Sequence, residues 1–411
     1  MNDSPPPSAA ASREMRSVVV LALGFGLVGI DRYLISTLFP VIARDLHLDY
    51  GDIGTITGAL SIAWGTAALI MGNLSDHVGR RRVLTGALVA FALLIGANGL
   101  AAGLVGLVAV RMVMGFADGA YTPASISATL EASAPGHHGR NIGIQQMTLT
   151  LFGLGLSPLL VAWLLRHIEW RLIFLIFIVP ALLLAWLTWR VIGGPAPSAR
   201  AAGRNPLADW RAVLGYRNVR VLMAGMLCWL TSLVITSALM PNYLLDHLHL
   251  TFEQMSEVMS AIGFGSMAGT LILPWLSDRV GRRLVMILST VGTALALVCL
   301  QSLSGASIAA LFAGLFAVHF FNNALITLTV GPVCAESVPP ALMATASGLV
   351  IAVGELFGGG LAPMIGGQIA QHFGIQDILW LPIGAATVGF FLCLSLRETR
   401  AGLVRSAEPA G

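Results

Sequence analysis

The sequence predicts an all-α membrane protein of twelve transmembrane helices, arranged as two pseudo-symmetric six-helix bundles. The chain of 411 residues is 56% hydrophobic and only 10% charged, with a mean hydropathy of +0.83. Soluble proteins carry about 25% charged residues, so this composition excludes an ordinary soluble domain. Many apolar runs are about 20 residues long, the length with which a helix crosses the hydrocarbon core of a bilayer. A third observation, a charged stretch that occurs twice, divides the chain into halves.

The repeated stretch reads Leu-Ser-Asp-His-Val-Gly-Arg-Arg-Arg at 74–82 and Leu-Ser-Asp-Arg-Val-Gly-Arg-Arg-Leu at 276–284. Asp278 minus Asp76 is 202, close to half of the chain. Leu-His-Leu at 46–48 recurs at 248–250 with the same offset. An internal repeat on this scale indicates two halves with the same order of helices.

Hydropathy and helix breakers predict six membrane spans in each half. Those of the first half are 17–38, 52–72, 83–103, 105–131, 139–165 and 171–192. Those of the second half are 218–241, 251–273, 284–303, 306–335, 342–370 and 378–397. We therefore expect a disordered tail at 1–16, bundles at 17–192 and 218–397, a linker at 193–217 and a second tail at 398–411.

The positive charges predict the orientation in the membrane. The sequence contains no lysine, and most of its 23 arginines lie after the second and eighth spans, in the linker and in the C-terminal tail. All of these segments fall on one face if the chain starts on that face, and positive loops stay in the cytoplasm. We expect both termini to be cytoplasmic and the protein to reside in a bacterial inner membrane. The small net charge of +3 gives no indication of nucleic-acid binding.

The first copy of the repeat identifies a family resemblance. Residues 72–81, Gly-Asn-Leu-Ser-Asp-His-Val-Gly-Arg-Arg, resemble the loop motif G-x-L-x-D-x-x-G-R-R of the major facilitator superfamily. The resemblance covers nearly the whole chain between the tails, and it implies two six-helix bundles with a binding site between them near the membrane midplane.

The repeated charges also suggest a gate. Arginines after the second and eighth spans can pair with glutamates that end the fourth and tenth spans, and an aspartate near a helix end can accept backbone N–H groups. The structural alternative is a solvated turn that only fixes the topology. The predicted gating residues are Asp76, Arg80, Arg81, Glu131, Asp278, Arg282, Arg283 and Glu336.

Ionisable residues inside membrane spans are costly, so they are candidates for function. Asp31 and Arg32 are adjacent in the first span, and Arg111 precedes Asp118 by seven residues in the fourth. Glu355 lies in the eleventh span. The alternative for these residues is a set of buried ion pairs that only holds helices together, and for Arg111 it carries equal weight.

The first span narrows the resemblance. Residues 31–36, Asp-Arg-Tyr-Leu-Ile-Ser, followed by Pro40, look like the D-R-x-x-[LI]-S…P signature of the anion:cation symporter family. The spacing of Arg111 and Asp118 also resembles that family. The resemblance implies that Arg32 binds the substrate anion and that Asp31 and Asp118 carry protons.

Other residues depart from the family pattern. Glu355 stands where sugar-acid carriers have an amide, and we expect it to carry a further proton or to pair with His319. An aromatic residue expected in the second span falls on Gly65, beside Trp64. The predicted substrate-binding residues are Arg32, Tyr33, Arg111, Gln145, Gln146, His319, Asn322 and Asn323. For the amides, an interhelical hydrogen bond is an equally good explanation.

These features favour a secondary transporter that imports a small monocarboxylate, a sugar acid or an aromatic acid, together with protons. A guanidinium fits a carboxylate, and a Walker loop, a metal-ligand cluster and a nucleophile elbow are absent from the sequence. We therefore expect no enzyme activity, no metal and no cofactor, a monomeric carrier, and the proton gradient as energy source, with sodium coupling left open. The alternatives are a proton-coupled efflux antiporter and a metabolite-binding membrane sensor.

Overall fold

The described residues form twelve long helices, which confirms the predicted fold class. The computed structural model describes residues 7–71, 79–193, 206–303, 305 and 307–399. The helices of the first half are α1 (Pro7–Leu46), α2 (Tyr50–Met71), α3 (Arg80–Gly99), α4 (Leu104–Ala132), α5 (His138–Leu165) and α6 (Trp170–Val191). Those of the second half are α7 (Arg217–His247), α8 (Phe252–Val280), α9 (Arg282–Gln301), α10 (Ile308–Glu336), α11 (Met343–Phe373) and α12 (Ile375–Ser395). Eleven are long and apolar enough to span a membrane, and α2, with 22 residues, completes the set.

The first helix begins earlier than predicted. We expected a disordered tail up to residue 16, but α1 starts at Pro7. Proline is favoured in the first turn of a helix, and alanines, which have the highest helix propensity, follow it. The carboxylate of Glu14 also accepts hydrogen bonds from Asn141 at 2.8 Å and contacts Nδ1 of His137 at 2.9 Å. These contacts attach the extension to the start of α5.

The second copy of the charged repeat is helical for most of its length, although we expected it to lie between the spans 251–273 and 284–303. Helix α8 continues to Val280 and ends at Gly281, whose φ is 111°. Gly79, which occupies the same place in the first copy, has a φ of 94°. A left-handed backbone at this position favours glycine, which explains the glycine in both copies.

Both predicted connections contain more structure than expected. The linker range includes a helix at Pro206–Leu214, which we call the linker helix. The carboxylate of Glu398, in the predicted C-terminal tail, accepts the backbone N–H groups of Arg282 and Arg283 at 3.0 Å each. Glu398 therefore caps the start of α9.

Matching backbone conformations support the duplication. His47 and His249, offset by 202 residues, both have a φ of 54° and follow α1 and α7. Pro40 and Pro241, earlier in the same two helices, are offset by only 201. The second half therefore contains one additional residue between these two positions. It coincides with a π-helical turn at Tyr243–His247 in α7, whereas the matching part of α1 is α-helical to Leu46. A π turn accommodates one extra residue without disturbing the rest of a helix.

The centre of the molecule lies along α1 and α7. In the most apolar windows of the eleven spans, 89% of the residues of α1 and 78% of those of α7 are buried, against at most 56% elsewhere. Large apolar side chains on the other helices, such as Trp163 and Trp186, are exposed. Exposed apolar surface of this kind suits contact with lipid.

The two bundles meet at one membrane face, which we call the far face; it carries the connections α1–α2, α5–α6, α7–α8 and α11–α12. The opposite face, on which α1 begins and α12 ends, is the tail face. Near the middle of both helices, a Cβ on Gly263 of α8 would overlap the backbone of Gly155 in α5, so the two helices touch through their glycines. Polar contacts between the bundles lie at the far-face end itself: Tyr50 donates to Asp246 at 2.9 Å, and Arg166 lies 3.4 Å from Glu253. The far-face ends of the bundles are therefore closed against each other.

Candidate functional site

Five charged side chains are buried in the middle of the bundles. Asp31 and Arg32 come from α1, Arg111 and Asp118 from α4, and Glu355 from α11. In the described part of the chain they are the only buried aspartate, glutamate or arginine residues. The fold thus buries all five residues and brings residues of both halves together.

Arg32 connects the two bundles. Its Nη2 atom lies 2.8 Å from Oε2 of Glu355, and it also donates to the hydroxyl of Ser61 at 3.3 Å. The guanidinium lies over the ring of Trp64, 4.1 Å from the centroid, and 5.8 Å from that of Tyr33. Such stacking stabilises a cation through the ring quadrupole. Arg32 is thus held by a carboxylate on one side and an aromatic ring on another.

Glu355 does not pair with His319, which corrects that expectation. The side chain of His319 contacts Thr236 instead, with 2.9 Å between Nε2 and Oγ1. His319 and Glu355 therefore have different neighbours. Thr236 is in α7, whereas Glu355 faces α2, where Gly65 packs against its Cβ atom. A Cβ at position 65 would lie tightly against Leu356 and Glu355, at 3.1 and 3.2 Å. The aromatic residue of α2 that stacks on Arg32 is Trp64.

Arg111 has spare donors. Its Nη1 atom donates to the main-chain oxygen of Asp31 at 2.9 Å, while Nε and Nη2 have no hydrogen-bond partner among the described residues. The side chain is fully buried. A buried guanidinium with unused donors is costly, and Nε and Nη2 could each donate to an added acceptor.

The carboxyl groups of Asp31 and Asp118 are also without hydrogen-bond partners in the described structure. Both residues have no exposed surface. Arg111 attracts the carboxylate of Asp31, and Arg32 and Arg111 attract that of Asp118, although neither carboxylate accepts a hydrogen bond from them. A buried carboxylate without hydrogen-bond donors is more costly than a neutral acid, so either group can take up a proton here.

A small cavity separates the bundles next to the two arginines. Its volume is about 20 Å³, which holds one water-sized molecule. Arg32, Tyr33 and Arg111 line it together with small hydroxyl side chains from three helices: Ser36, Thr57, Ser61 and Ser237. An organic substrate needs a larger space, so the bundles must separate before one can bind.

The hydroxyl groups of the cavity were missed by sequence reasoning. Thr57 and Ser61 are four residues apart in α2, as are Arg32 and Ser36 in α1, so each pair shares one helix face. Ser36 and Ser237 are offset by 201 residues and are mates in the repeat. The four-residue spacing of Ser36 from Arg32 could have indicated these hydroxyl groups. It was not used, because a lone hydroxyl in a membrane helix usually bonds to its own backbone.

The predicted polar residues of α10 lie apart from the cavity lining. Asn322 donates to the main-chain oxygen of Trp229 at 3.0 Å, and Asn323 donates to Thr270 at 3.2 Å. Both contacts join helices of the second half. His319 and Asn322 each keep one buried polar atom without a partner among the described residues. They can therefore take part in binding only after α7 or α10 moves.

The two predicted glutamines of α5 differ. Gln145 is buried and bonds to Ser125 at 2.5 Å and to Thr129 at 3.1 Å, which fixes α5 against α4. Gln146, one residue further on, is exposed and lies on another face of the helix. Interhelical hydrogen bonding therefore accounts for Gln145, and Gln146 does not line the cavity.

Helix α11 carries Glu355 in a π-helical segment, Gly354–Leu361. Its repeat mate in α5 has a π-helical segment at Leu151–Leu156. These segments widen the helix, and π turns frequently occur at functional sites. In α11 the segment directs Glu355 across the bundle interface towards Arg32.

The predicted gating residues form contacts within each bundle. Arg80 pairs with Glu131 at 2.7 Å, and Arg282 pairs with Glu336 at 2.9 Å. Arg282 also lies 2.5 Å from Asp278. Both glutamate pairs are present while the far-face ends are closed, and each joins helices of one bundle only.

The arginines that directly follow Arg80 and Arg282 contact other groups than Glu131 and Glu336 in the described structure. Arg81 stacks on Trp189, 3.8 Å from the ring centroid, and Arg283 donates to the main-chain oxygen of Leu394 at 2.7 Å. Asp76 lies outside the described residues. Among the described residues there is no group of three or more His, Cys, Asp or Glu side chains that could hold a metal.

Comparisons with known proteins agree with this architecture. The family model for the Major Facilitator Superfamily matches residues 21–245 and 221–410. A 3-(3-hydroxy-phenyl)propionate transporter of Escherichia coli strain K12 is 26% identical over 388 residues, covering 93% of this chain and 91% of that protein. The sialic acid transporter NanX of the same strain is 24% identical and covers 91% of each chain.

A solved structure shows the same fold. A bacterial homologue of the human lysosomal transporter Spinster, in an inward-facing and unoccupied conformation, superimposes with a TM-score of 0.77. The match covers 99% of this chain and 100% of the other at 16% sequence identity.

Proposed function

This chain belongs to the Major Facilitator Superfamily, and we propose that it is a secondary transporter that imports a small organic anion together with protons. The substrate would bind between the bundles, which would open alternately to the two membrane faces. One observation carries this proposal: Arg32 and Arg111, both buried, line one cavity at the bundle interface. Two guanidinium groups in an apolar medium favour an anion and repel a cation.

The carboxyl groups beside the arginines support proton coupling. Without protons, Asp31 and Asp118 would compete with the substrate by neutralising Arg32 and Arg111. With a proton on each, the positive charge of the arginines is available to the anion. The protonated protein then binds the anion more tightly, and the anion-bound protein binds protons more tightly. This reciprocal linkage is what a symporter requires.

The relatives support a carboxylate as substrate. The names of two of them specify a phenylpropionate and sialic acid, and both molecules carry a carboxylate. Arg32 can present a planar pair of N–H groups to such a group. We propose a monocarboxylate, either a sugar acid or an aromatic acid, as the substrate of this chain.

The closed far face suggests the direction in which the site opens. The positive-inside rule assigns the arginine-rich tail face to the cytoplasm. With the far face closed by Tyr50, Asp246, Arg166 and Glu253, the site would exchange with the cytoplasm. We propose a bacterial inner-membrane carrier that acts as a monomer and needs no cofactor besides the ion gradient.

Uptake by purified protein in proteoliposomes tests the proposal. Labelled 3-(3-hydroxyphenyl)propionate and sialic acid, the compounds in the relatives' names, serve as probes beside a panel of monocarboxylates. We expect an inward proton gradient to drive uptake and a sodium gradient alone to have no effect. Asp31→Asn and Asp118→Asn should lose driven uptake but retain counterflow, and Arg32→Ala should lose both.

Exposed residues provide matched controls. Arg44→Ala changes an exposed arginine of α1, and Glu257→Gln changes an exposed carboxylate of α8. Both should transport as the wild type does. Expulsion of a cationic dye, with no carboxylate transported, would instead identify an efflux antiporter.

A further inference from the structure

On the basis of the function proposed above, we propose that Glu355 determines the charge of the substrate. Its carboxylate would neutralise one of the two buried arginines, so that the site could neutralise only one further negative charge from the substrate. The cavity would then accept monoanions and reject dianions. Glu355 would thus remain ionised during transport, in contrast to Asp31 and Asp118.

The first argument is geometric. Glu355 belongs to the second bundle and Arg32 to the first, yet the two groups are 2.8 Å apart and their side chains are only 7% and 8% exposed. A buried carboxylate in contact with a guanidinium is stabilised in its charged form by that partner. The carboxyl groups of Asp31 and Asp118 have no such contact.

The second argument is the charge of the cluster. The buried charged residues of the described chain are two arginines, two aspartates and one glutamate. With both aspartates protonated and Glu355 ionised, two positive charges and one negative charge leave a single net positive charge. A monoanion neutralises it, whereas a dianion leaves an uncompensated negative charge in an apolar medium.

The third argument is the supply of hydrogen-bond donors. The contacts of Arg32 with Glu355 and Ser61 use only Nη2, and Arg111 has two nitrogen atoms without partners among the described residues. A substrate carboxylate can therefore bind both arginines while Glu355 stays in place. The substrate does not need to displace Glu355, so the charge of Glu355 acts throughout binding.

Two probes that differ by one carboxylate test this inference. The monoanion probe is 3-(3-hydroxyphenyl)propionate, and the dianion probe has a carboxylate in place of its hydroxyl group. Apparent affinities come from ligand-induced thermal stabilisation of the purified full-length protein, which does not require transport. Counterflow in proteoliposomes provides a second readout with the same probes.

In the wild type we expect the monoanion probe to bind at least about tenfold more tightly than the dianion probe, since an unpaired buried charge costs more than the 1.4 kcal/mol that a factor of ten represents. In Glu355→Gln the net charge rises by one, and this preference should fall by about tenfold or reverse. Glu355→Asp keeps the charge and should keep the preference. Glu257→Gln, with an exposed side chain, is the matched control.

Several results would overturn the inference. Equal affinity of the wild type for the two probes would overturn the inference without the need for any variant. An unchanged preference in Glu355→Gln would overturn it, and a loss of proton-driven uptake in the same variant would make Glu355 a third proton site instead. If Glu355→Gln does not fold, Glu355→Asn replaces it, because it also removes the negative charge while its amide oxygen can still accept a hydrogen bond from Arg32. If the wild type neither binds nor transports any carboxylate, the proposed function itself is wrong.

Discussion

Arg32 illustrates how the surroundings of a single side chain restrict its motion. Trp64 holds the guanidinium from one side, while Glu355 and Ser61 fix one of its nitrogens. The side chain therefore has little freedom to lose when a ligand binds. A preorganised donor group binds with a smaller entropic cost than a mobile one.

Replacement of Trp64 tests the contribution of stacking. Trp64→Leu should weaken binding of the monoanion probe by about tenfold, because cation–π contacts of desolvated groups contribute about 1–2 kcal/mol. Trp64→Phe should weaken it less. Thermal stabilisation by the probe measures both effects. Trp163→Leu, at an exposed position of α5, is the control, and equal affinities for Trp64→Leu and the wild type would contradict the prediction.

Much of this site could be predicted from residue types alone. Asp31, Arg32, Arg111, Asp118 and Glu355 stand out because ionisable groups are rare in membrane spans. The partner of Glu355 could not be predicted, since the sequence does not show which helix faces α11. Gln146 lies outside the cavity lining, because adjacent residues of a helix point in directions about 100° apart and its neighbour Gln145 faces α4.

Helices in this protein are positioned by contacts at their ends and by glycines at their crossings. Glu398 caps α9 from the end of the chain, and glycines allow α5 and α8 to touch. The predicted spans agree with the helices because apolar length and breakers set their bounds. The local extension of α1 and the π-helical turns were not predicted, since they depend on tertiary contacts and on single inserted residues.

The cap on α9 has a measurable effect on stability. Glu398→Ala removes the acceptor of two backbone N–H groups and a negative charge at a helix start, so it should lower the free energy of unfolding by about 1–2 kcal/mol. Glu398→Gln should cost less, since an amide oxygen can still accept. Melting temperature in detergent measures the loss. Glu257→Ala is the control, and a melting temperature unaffected by Glu398→Ala would refute the cap.

The glycine contact between α5 and α8, near the middle of both helices, should control how closely the two bundles approach each other. Gly263→Ala places a methyl group against the backbone of Gly155, so the far-face ends should separate and transport should slow by about tenfold or more. Spin labels at the far-face ends of α5 and α8 report the separation. Gly348→Ala, where a Cβ would meet nothing within 4 Å, is the matched control. An unchanged distance distribution in Gly263→Ala would exclude this role.

At the scale of the whole molecule, the charges are distributed unequally. The first half supplies four of the five buried charged residues, and the second half supplies only Glu355. The repeat mates of Asp31 and Arg32, at the offset of 201 that relates Pro40 and Pro241, are Ser232 and Leu233. The two bundles thus share a backbone plan while their central chemistry differs.

This distribution predicts electrogenic uptake. If Asp31 and Asp118 each carry one proton with one monoanion, each cycle moves one net positive charge. An inside-negative potential should therefore accelerate uptake, at about 2.3 kcal/mol per 100 mV for a charge that crosses the whole membrane. Potassium gradients with valinomycin in proteoliposomes set the potential. Uptake that is independent of potential would indicate one proton per anion.

The π-helical segments of α5 and α11 end at Leu156 and Leu361, which are offset by 205 and are mates in the repeat. The π turn of α7 has no counterpart in α1. The bend of α5 and α11 is therefore common to both halves, whereas the bend of α7 belongs to the second half alone. Glu355 and its mate Thr150 differ, so the same bend presents a charged side chain in α11 and a neutral hydroxyl in α5.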